Sequence, residues 1–311
     1  MSEAGTIALD ERQPLLLSVD FEDWHQLVRR RVGASRWEEP GPALGRQTEA
    51  LLGLLDELRV RATFFILGMA ARTHPDLVQT IASAGHDIGC HGDQHLPVHA
   101  QTPDEFAADL RAARTTIEDL TGRCPVGYRA PAFSITRDSR WAYDVLAQQG
   151  FTYDASQHDT PRARERVVPV SDGPYLLQAG SRPLWEFPVA VWRARPAGLT
   201  GFGDMSVRVP VGGASYWATL PTAAILRGLR QSGPLAGLYL HPYELDPQPL
   251  RPQLARGASA SQRAHAALRA AQRNLARRRA PAVLRAIARS YKLITYGEAH
   301  AKLSGGAAAS P

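Results

Sequence analysis

Apolar and polar positions along this chain follow two periods in turn, and their alternation predicts a strand–helix series. Residues 14–20 (PLLLSVD) form a continuous apolar run that ends on acids, as expected of a strand covered on both faces. Over 48–58, Leu51, Leu54, Leu55 and Leu58 recur at helical spacing. Residues 60–68 (VRATFFILG) read as a second strand, and a helix through Leu77, Val78 and Ile81 stops at Gly85. A short third strand over 86–91 delivers His91. Thr102 then supplies an N-cap, Pro103 the first helical position, and Asp104 and Glu105 a negative first turn. Phe106, Leu110, Ala113, Ile117 and Leu120 stripe that helix as far as Gly122. Residues 125–135 are a fourth strand with its exit loop, 137–150 a helix, and 151–156 a short strand ending at Asp154.

The polar stretch 157–182 is expected to run over the mouth of the sheet before 184–192 resumes it. A Gly-Gly loop with aromatics follows over 209–221, then a helix over 220–230 and a last strand that ends at His241. Beyond Pro252 an Ala/Arg helix spans 259–279, with His265, Leu268 and Leu275 expected on its drier side. A further helix over 281–290 and the segment 292–303 close the fold. Strands alternating with helices predict an α/β protein built on a parallel sheet. The longest apolar run, TFFILGMAA, is too short to cross a bilayer.

Chemistry-bearing residues collect where strands end. His91 and His95 lie four apart in GHDIGCHGDQH, so both imidazoles can face one point and share a metal ion that needs a third ligand. Asp20, Glu22 and Asp23 crowd the end of the first strand, a poor place for core residues and a common one for chemistry. On an extended chain Glu22 shares the face of Asp20, which favours Glu22 over Asp23 as the third ligand, with Asp23 supporting a histidine. Glu186 and Glu244 follow strands and can line a groove or serve structural pairing, and Tyr216 and Trp217 beside Gly212–Gly213 suit a sugar platform.

The net charge of +6 comes almost wholly from arginine, since Lys292 and Lys302 are the only lysines. From 251 to 292 there is no Asp or Glu, an asymmetry suited to anionic headgroups or a pyrophosphate-bearing substrate. No motif for reading nucleic acid accompanies it. Two cysteines, Cys90 and Cys124, fit a reducing compartment, and the first 13 residues lack the order of a secretion signal. The expected location is cytoplasmic, peripheral at the inner membrane.

Four pieces in order, SVDFED, HGDQH, YRAPAF and YLHPYE, resemble the polysaccharide deacetylases of the NodB-homology type, carbohydrate esterase family 4. More narrowly, the chain looks like the subfamily of exosortase/PEP-CTERM loci, with its Gly-Gly-aromatic segment and C-terminal helical region. The resemblance implies a distorted (β/α)7 barrel over 14–250 and a helical extension packed on it over 251–303, while the mixed composition of 1–13 and the low complexity of 304–311 predict disordered tails. It implies Asp20 as general base, His91 and His95 as metal ligands with Glu22 or Asp23, and Arg129 holding the base. It also implies Pro131 and Phe133 as groove wall, and His241 as general acid with Asp154 orienting it. The family's usual His-Ser/Thr-x-x-His reads His-Gly-Asp-Gln-His here, so Gly92 removes a hydroxyl that often supports the loop.

Amide hydrolysis needs an activated water, stabilisation of the oxyanion and a proton for the departing amine, which a divalent metal, a carboxylate and an imidazole supply together. The expected cofactor is zinc, with cobalt, nickel, manganese or iron as alternatives. The expected substrate is an N-acetylated exopolysaccharide or its lipid-linked precursor. Two rivals stand beside this reading: a barrel amidohydrolase acting on a small C–N substrate, and a non-catalytic polysaccharide-binding scaffold.

Overall fold

The computed structural model describes residues 12–160, 170–180, 182–194, 207–275 and 277–307. Its strands, in chain order, are β1 (Pro14–Phe21), β2 (Thr63–Ile66), β3 (Asp87–Cys90), β4 (Gly127–Tyr128), β5 (Tyr153–Asp154), β6 (Tyr175–Ala179), β7 (Arg182–Glu186), β8 (Val191–Ala194), β9 (Val207–Pro210), β10 (Gly237–Leu240) and β11 (Lys292–Ile294). The main sheet runs β10-β1-β2-β3-β4-β5-β7-β6, parallel except for the β6/β7 hairpin. Single bridges close it: past β7 the chain reaches Val189, which pairs with Gly237, and Ala190 N–H donates to the Gly237 carbonyl at 2.9 Å. Seven parallel strands therefore ring an interior, a distorted (β/α)7 barrel.

The continuous apolar run of β1 follows from this closure, because both faces of a barrel strand are covered. Leu15, Leu17, Val19 and Phe21 face outward into the large core shared with Leu51 and Leu55 of the helix Leu44–Glu57. Leu16 faces inward with Phe65, Tyr153, Phe187, Ile294 and Tyr296, filling the barrel. At period two the next inward positions are Ser18 and Asp20, so one strand carries apolar packing at its base and buried polar groups at its end. Burying a side chain the size of Phe65 contributes roughly 1.5–3 kcal/mol.

The expected capping box forms: Thr102 and Glu105 bond reciprocally at the start of the helix Pro103–Thr121, and Gly122 ends it with φ +65°. Several expectations are corrected. The charged stretch after β1 starts a helix, Trp24–Arg31, capped by Asp23. The single strand expected over 184–192 is split into β7 and β8, with Pro188 lying between them and lacking the N–H a ladder needs. The excursion at 157–182 contains β6, while its residues 161–169 and 181 lie outside the described residues. The helix Ala260–Asn274 packs through Ala266 and Ala270; Leu268 and Leu275 are 56% and 65% exposed, and His265 is exposed too. Small residues win the inner face because they let the helix approach the barrel closely.

The segment 292–307 does more than pack on the barrel. β11 pairs with the first residues of β1, and the helix Tyr296–Ala307 continues into the stretch expected to be a loose tail. Residues 1–11 and 308–311 of the expected tails lie outside the described residues. Among the described residues no helix is long and apolar enough to cross a membrane.

Candidate active site and metal centre

The polar residues gather at the C-terminal ends of the parallel strands, where loops rather than ladders set side-chain direction. Glu22 follows β1, and His91 and His95 follow β3. Their ligand atoms all lie within 4.8 Å of one another. His95 Nε2 is 3.0 Å and His91 Nε2 3.8 Å from Glu22 Oε2. His91 Nδ1–H donates to the Arg129 carbonyl at 2.8 Å, which in the neutral ring leaves the Nε2 lone pair facing the cluster. Burial by itself raises the Glu22 carboxyl, but the imidazoles of His95, His241 and His91 hold it well below the usual carboxylate range. Two imidazoles and an ionised carboxylate converging from one side fit a divalent cation with open positions.

The histidine loop is held without the hydroxyl that Gly92 lacks. Asp109 accepts from the backbone N–H of Asp93 and of Gln94, at 2.8 and 3.1 Å, and Arg72 grips Asp93 with two bonds. Gly92 has φ +77°, and a Cβ there would meet Asp109 Oδ2 at 2.8 Å. His95 adopts φ +53°, a left-handed conformation that costs a non-glycine residue about 1–2 kcal/mol. The surrounding bonds enforce it, a pattern common at ligand sites.

Arg129, fully buried, ties the base of the site together. Nη1 donates to Asp20 Oδ1 at 2.8 Å and to Ser18 Oγ at 2.6 Å, Nη2 to Tyr296 OH at 2.9 Å, and Nε to the Ala155 carbonyl at 3.0 Å. Its guanidinium carbon also lies 4.3 Å from the centre of the Phe65 ring. After Arg129 the chain turns through Pro131–Phe133, where Ala132 and Phe133 take successive left-handed conformations.

His241 enters from β10. Its Nε2 is 3.5 Å from Glu22 Oε1, and its Nδ1 is 3.2 Å from Glu244 Oε2, which also accepts the His241 backbone N–H. Burial lowers the basicity of this ring, but the Glu244, Glu22 and Asp20 carboxylates outweigh it and push the pKa up to about 9. Glu244 stays below its usual range despite burial, through His241 and a hydrogen bond from Ser215.

Beside this cluster opens a cavity of about 410 Å³, reached by Phe133, His158, Tyr216 and Tyr239. Phe133 packs edge-on against Tyr239 at 5.0 Å.

The structure therefore brings Asp20, Glu22, His91, His95, Arg129 and His241 to one mouth, with Phe133 and Tyr216 on the adjoining wall. It places the other named residues elsewhere. Asp23 turns away: Oδ1 accepts from His25 N–H and Oδ2 from Gly41 N–H, so it caps a helix and anchors a loop. Asp154 bonds Ser156 and shares a buried position with Glu186, so the carboxylate on His241 is Glu244 instead. Burial raises Asp154, partly offset by hydrogen bonds from Glu186 and Ser156, and burial together with the Asp154 carboxylate raises Glu186. Glu186 and Trp217 are fully buried, with Trp217 Nε1–H spent on the Val211 carbonyl, which removes both from any groove. Pro131 packs beside Gly92 rather than lining the cavity, and Glu244 serves His241 rather than a sugar. Ser18, Asp109, Ser215, Arg273 and Tyr296 were missed. Of these only Ser18 left a signal, as a lone polar residue at an inward position of an apolar strand.

Comparison with known proteins agrees with the two central motifs, HGDQH and YRAPAF. Residues 39–153 match the family model for polysaccharide deacetylase, and 156–280 match a domain of unknown function, DUF3473. The resemblance to polysaccharide deacetylases read from the sequence is thereby borne out over residues 39–153. Over 151 residues it is 34% identical to the peptidoglycan deacetylase-like protein FGM2 of Gibberella zeae, covering 47% of this chain and 44% of that protein. Over 106 residues it is 33% identical to the peptidoglycan deacetylase of Helicobacter pylori, covering 34% and 35%. Over 105 residues it is 35% identical to the chitooligosaccharide deacetylase of Rhizobium leguminosarum bv. trifolii, covering 32% and 44%. The chain thus spans less than half the length of these relatives. A crystal structure from Mycobacterium smegmatis, assigned as a polysaccharide deacetylase, superposes with a TM-score of 0.58 at 21% identity, covering 96% of this chain and 92% of that one, and shares the fold.

Proposed function

We propose that this protein is a divalent-metal-dependent de-N-acetylase of an N-acetylated polysaccharide. The observation that carries the reading is the convergence on Glu22 of His91 and His95 at one carboxylate oxygen and of His241 at the other, beside an Asp20 held by a buried arginine. Glu22, His91 and His95 would hold the cation, which when bound polarises an acyl oxygen and eases deprotonation of water. Asp20, fixed through Oδ1 by Arg129, accepts the proton of the attacking water. His241 Nε2 donates a proton to the departing nitrogen, with Nδ1 anchored on Glu244. The acyl C–N bond breaks and acetate and a free amine leave. Phe133, Tyr216 and Tyr239 offer rings to the apolar faces of sugars.

Zinc is the favoured ion, since two imidazoles and a carboxylate suit it. The favoured substrate is an exopolysaccharide of the exosortase-locus type or its lipid-linked precursor, met in the cytoplasm at the inner membrane. The basic segment 251–292 supports this contact, although part of its charge is spent internally. Arg273, Arg277, Arg279 and Arg285 bond Ser215, the Tyr243 carbonyl, the Ala218 and Leu220 carbonyls, and Glu57. Arg278 and Arg289 remain exposed. Acetate release from a panel of N-acetylated oligosaccharides and lipid-linked precursors, with and without chelator, tests the reading. No release from any member by metal-loaded protein would transfer weight to the scaffold reading.

A further inference from the structure

The helix Ala260–Asn274 sends a side chain to the site that none of the four motifs contains. Arg273 Nη1 donates to Ser215 Oγ at 2.6 Å, and Ser215 Oγ donates to Glu244 Oε1. A hydroxyl has one hydrogen, so the arginine, which can only donate, fixes Ser215 as an acceptor on one side and turns its proton toward Glu244. The two oxygens of Glu244 are then divided. Oε1 takes Ser215, while Oε2 takes the Nδ1 and backbone N–H of His241. The last link is the ring itself: Tyr243 stacks on His241 at 4.9 Å and 17°, and Arg273 lies 5.7 Å over Tyr243. The arginine is held in register, because the neighbouring Asn274 bonds both the N–H and the carbonyl of Leu250, at 2.8 and 2.9 Å.

We propose that Ser215 and Arg273 are positioning residues that, through Glu244, fix the Nδ1–H orientation of His241 and so aim Nε2 at the leaving nitrogen. This rests on the deacetylase reading above. Removing Arg273 frees the Ser215 hydroxyl to rotate, and removing Ser215 leaves Glu244 Oε1 unpartnered in a buried place. Either change loosens the same imidazole without touching Glu22, His91 or His95.

Steady-state kinetics of Ser215→Ala, Arg273→Ala, Arg273→Lys and the double alanine variant test this, beside Arg269→Ala as a control on the same helix. Among the described residues Arg269 bonds within that helix, to His265 and Gln272, so its loss should leave turnover unchanged. Each single alanine variant should lower kcat about tenfold with KM and bound metal little changed, since orientation matters in the transition state. The double variant should also lose only about tenfold, because both residues act on one chain of bonds, whereas independent effects would multiply to about a hundredfold. Arg273→Lys should recover much of the loss, as an ammonium can still donate to Ser215. Multiplicative losses, or a purely KM effect, would overturn the proposal. A second measurement needs no turnover: the ¹⁵N and Nδ1–H resonances of His241 should shift in both alanine variants and return in Arg273→Lys. Unchanged resonances would also overturn it. If the wild-type protein releases no acetate, the deacetylase reading fails while the resonances still decide the positioning.

Discussion

Arg129→Met is the perturbation that most directly tests the physical account of the site. Arg129 is fully buried and Asp20 is 3% exposed, so neither charge has water to fall back on. The substitution keeps most of the apolar stem over Phe65 but removes four hydrogen bonds, to Asp20, Ser18, Tyr296 and Ala155. Removing one partner of a buried ion pair typically costs about 3–5 kcal/mol, because the survivor is left uncompensated. Against a total of roughly 5–15 kcal/mol for a domain, the variant should fold yet be conspicuously weakened. At roughly 2 °C per kcal/mol, the low end suited to a long chain, its thermal midpoint should fall by about 6–10 °C. Asp20→Asn should also destabilise, for the opposite reason, by stranding the arginine. The double variant strands neither charge, so it should lose about 1–3 kcal/mol less than the sum of the singles. Urea unfolding of the four proteins gives the cycle directly. A cost below about 1 kcal/mol for Arg129→Met would place the pair among weak surface ion pairs and refute the reasoning, as would simple additivity.

Three further outcomes follow from the geometry. His91→Ala or His95→Ala should abolish metal binding while His241→Ala retains it, and Glu22→Gln should weaken it far more than Asp23→Ala, which should instead cost about 1 kcal/mol of stability as a lost helix cap; metal analysis and unfolding separate the two effects. Glu186 is raised by burial and by Asp154, so the stability it permits is complete below its unfolded pKa of about 4.3 and is lost as pH rises through the folded value. Glu186→Gln should therefore gain stability over wild type as pH increases, and an identical pH profile would remove the buried acid pair from the account. Liposome sedimentation should show binding to anionic vesicles that salt reverses, because the exposed face is charged and its large apolar residues are few; equal binding to neutral vesicles would exclude an electrostatic contact.

Much of this was legible because strand periodicity and strand ends are written locally. Leu16, Ser18 and Asp20 alternate with Leu15, Leu17 and Val19, and the placement of Glu22 on the face of Asp20 follows from that rhythm alone. Asp23 was harder, since nothing local tells a ligand from a cap; the signal was that an acid precedes WHQLVRRR, a helix start that the acidic cluster disguised. Trp217 and Glu186 were misread because an aromatic beside glycines and an acid after a strand look the same buried or exposed until the packing is known. The partner of His241 was misassigned to Asp154, although Glu244 lies three residues away in the same motif. That bond depends on the turn Pro242–Leu245 bringing the carboxylate back over its own N-cap.

The least legible part is also the part that binds the site to the end of the chain. Tyr296 is 167 residues from Arg129 in sequence, yet its hydroxyl accepts one of the four hydrogen bonds that orient the guanidinium toward Asp20. It reaches that position because β11 first pairs with β1, and because Thr63 and Asp87 then receive the N–H groups of Tyr296 and Gly297 at 2.8 and 3.0 Å. The ring fills the barrel base with Leu16, Phe65 and Phe187, so the residue that closes the floor is the one that holds the arginine. From the side, Arg273 and Arg277 reach Ser215 and the Tyr243 carbonyl, on either side of the His241 turn. A chain cut at residue 250 would keep all four motifs and still lose Tyr296 from the floor, one partner of Arg129 and the Arg273 donor to Ser215. The motifs therefore carry the clustered polar side chains, whereas the last sixty or so residues add the barrel floor, one partner of Arg129 and the Arg273 contact to Ser215.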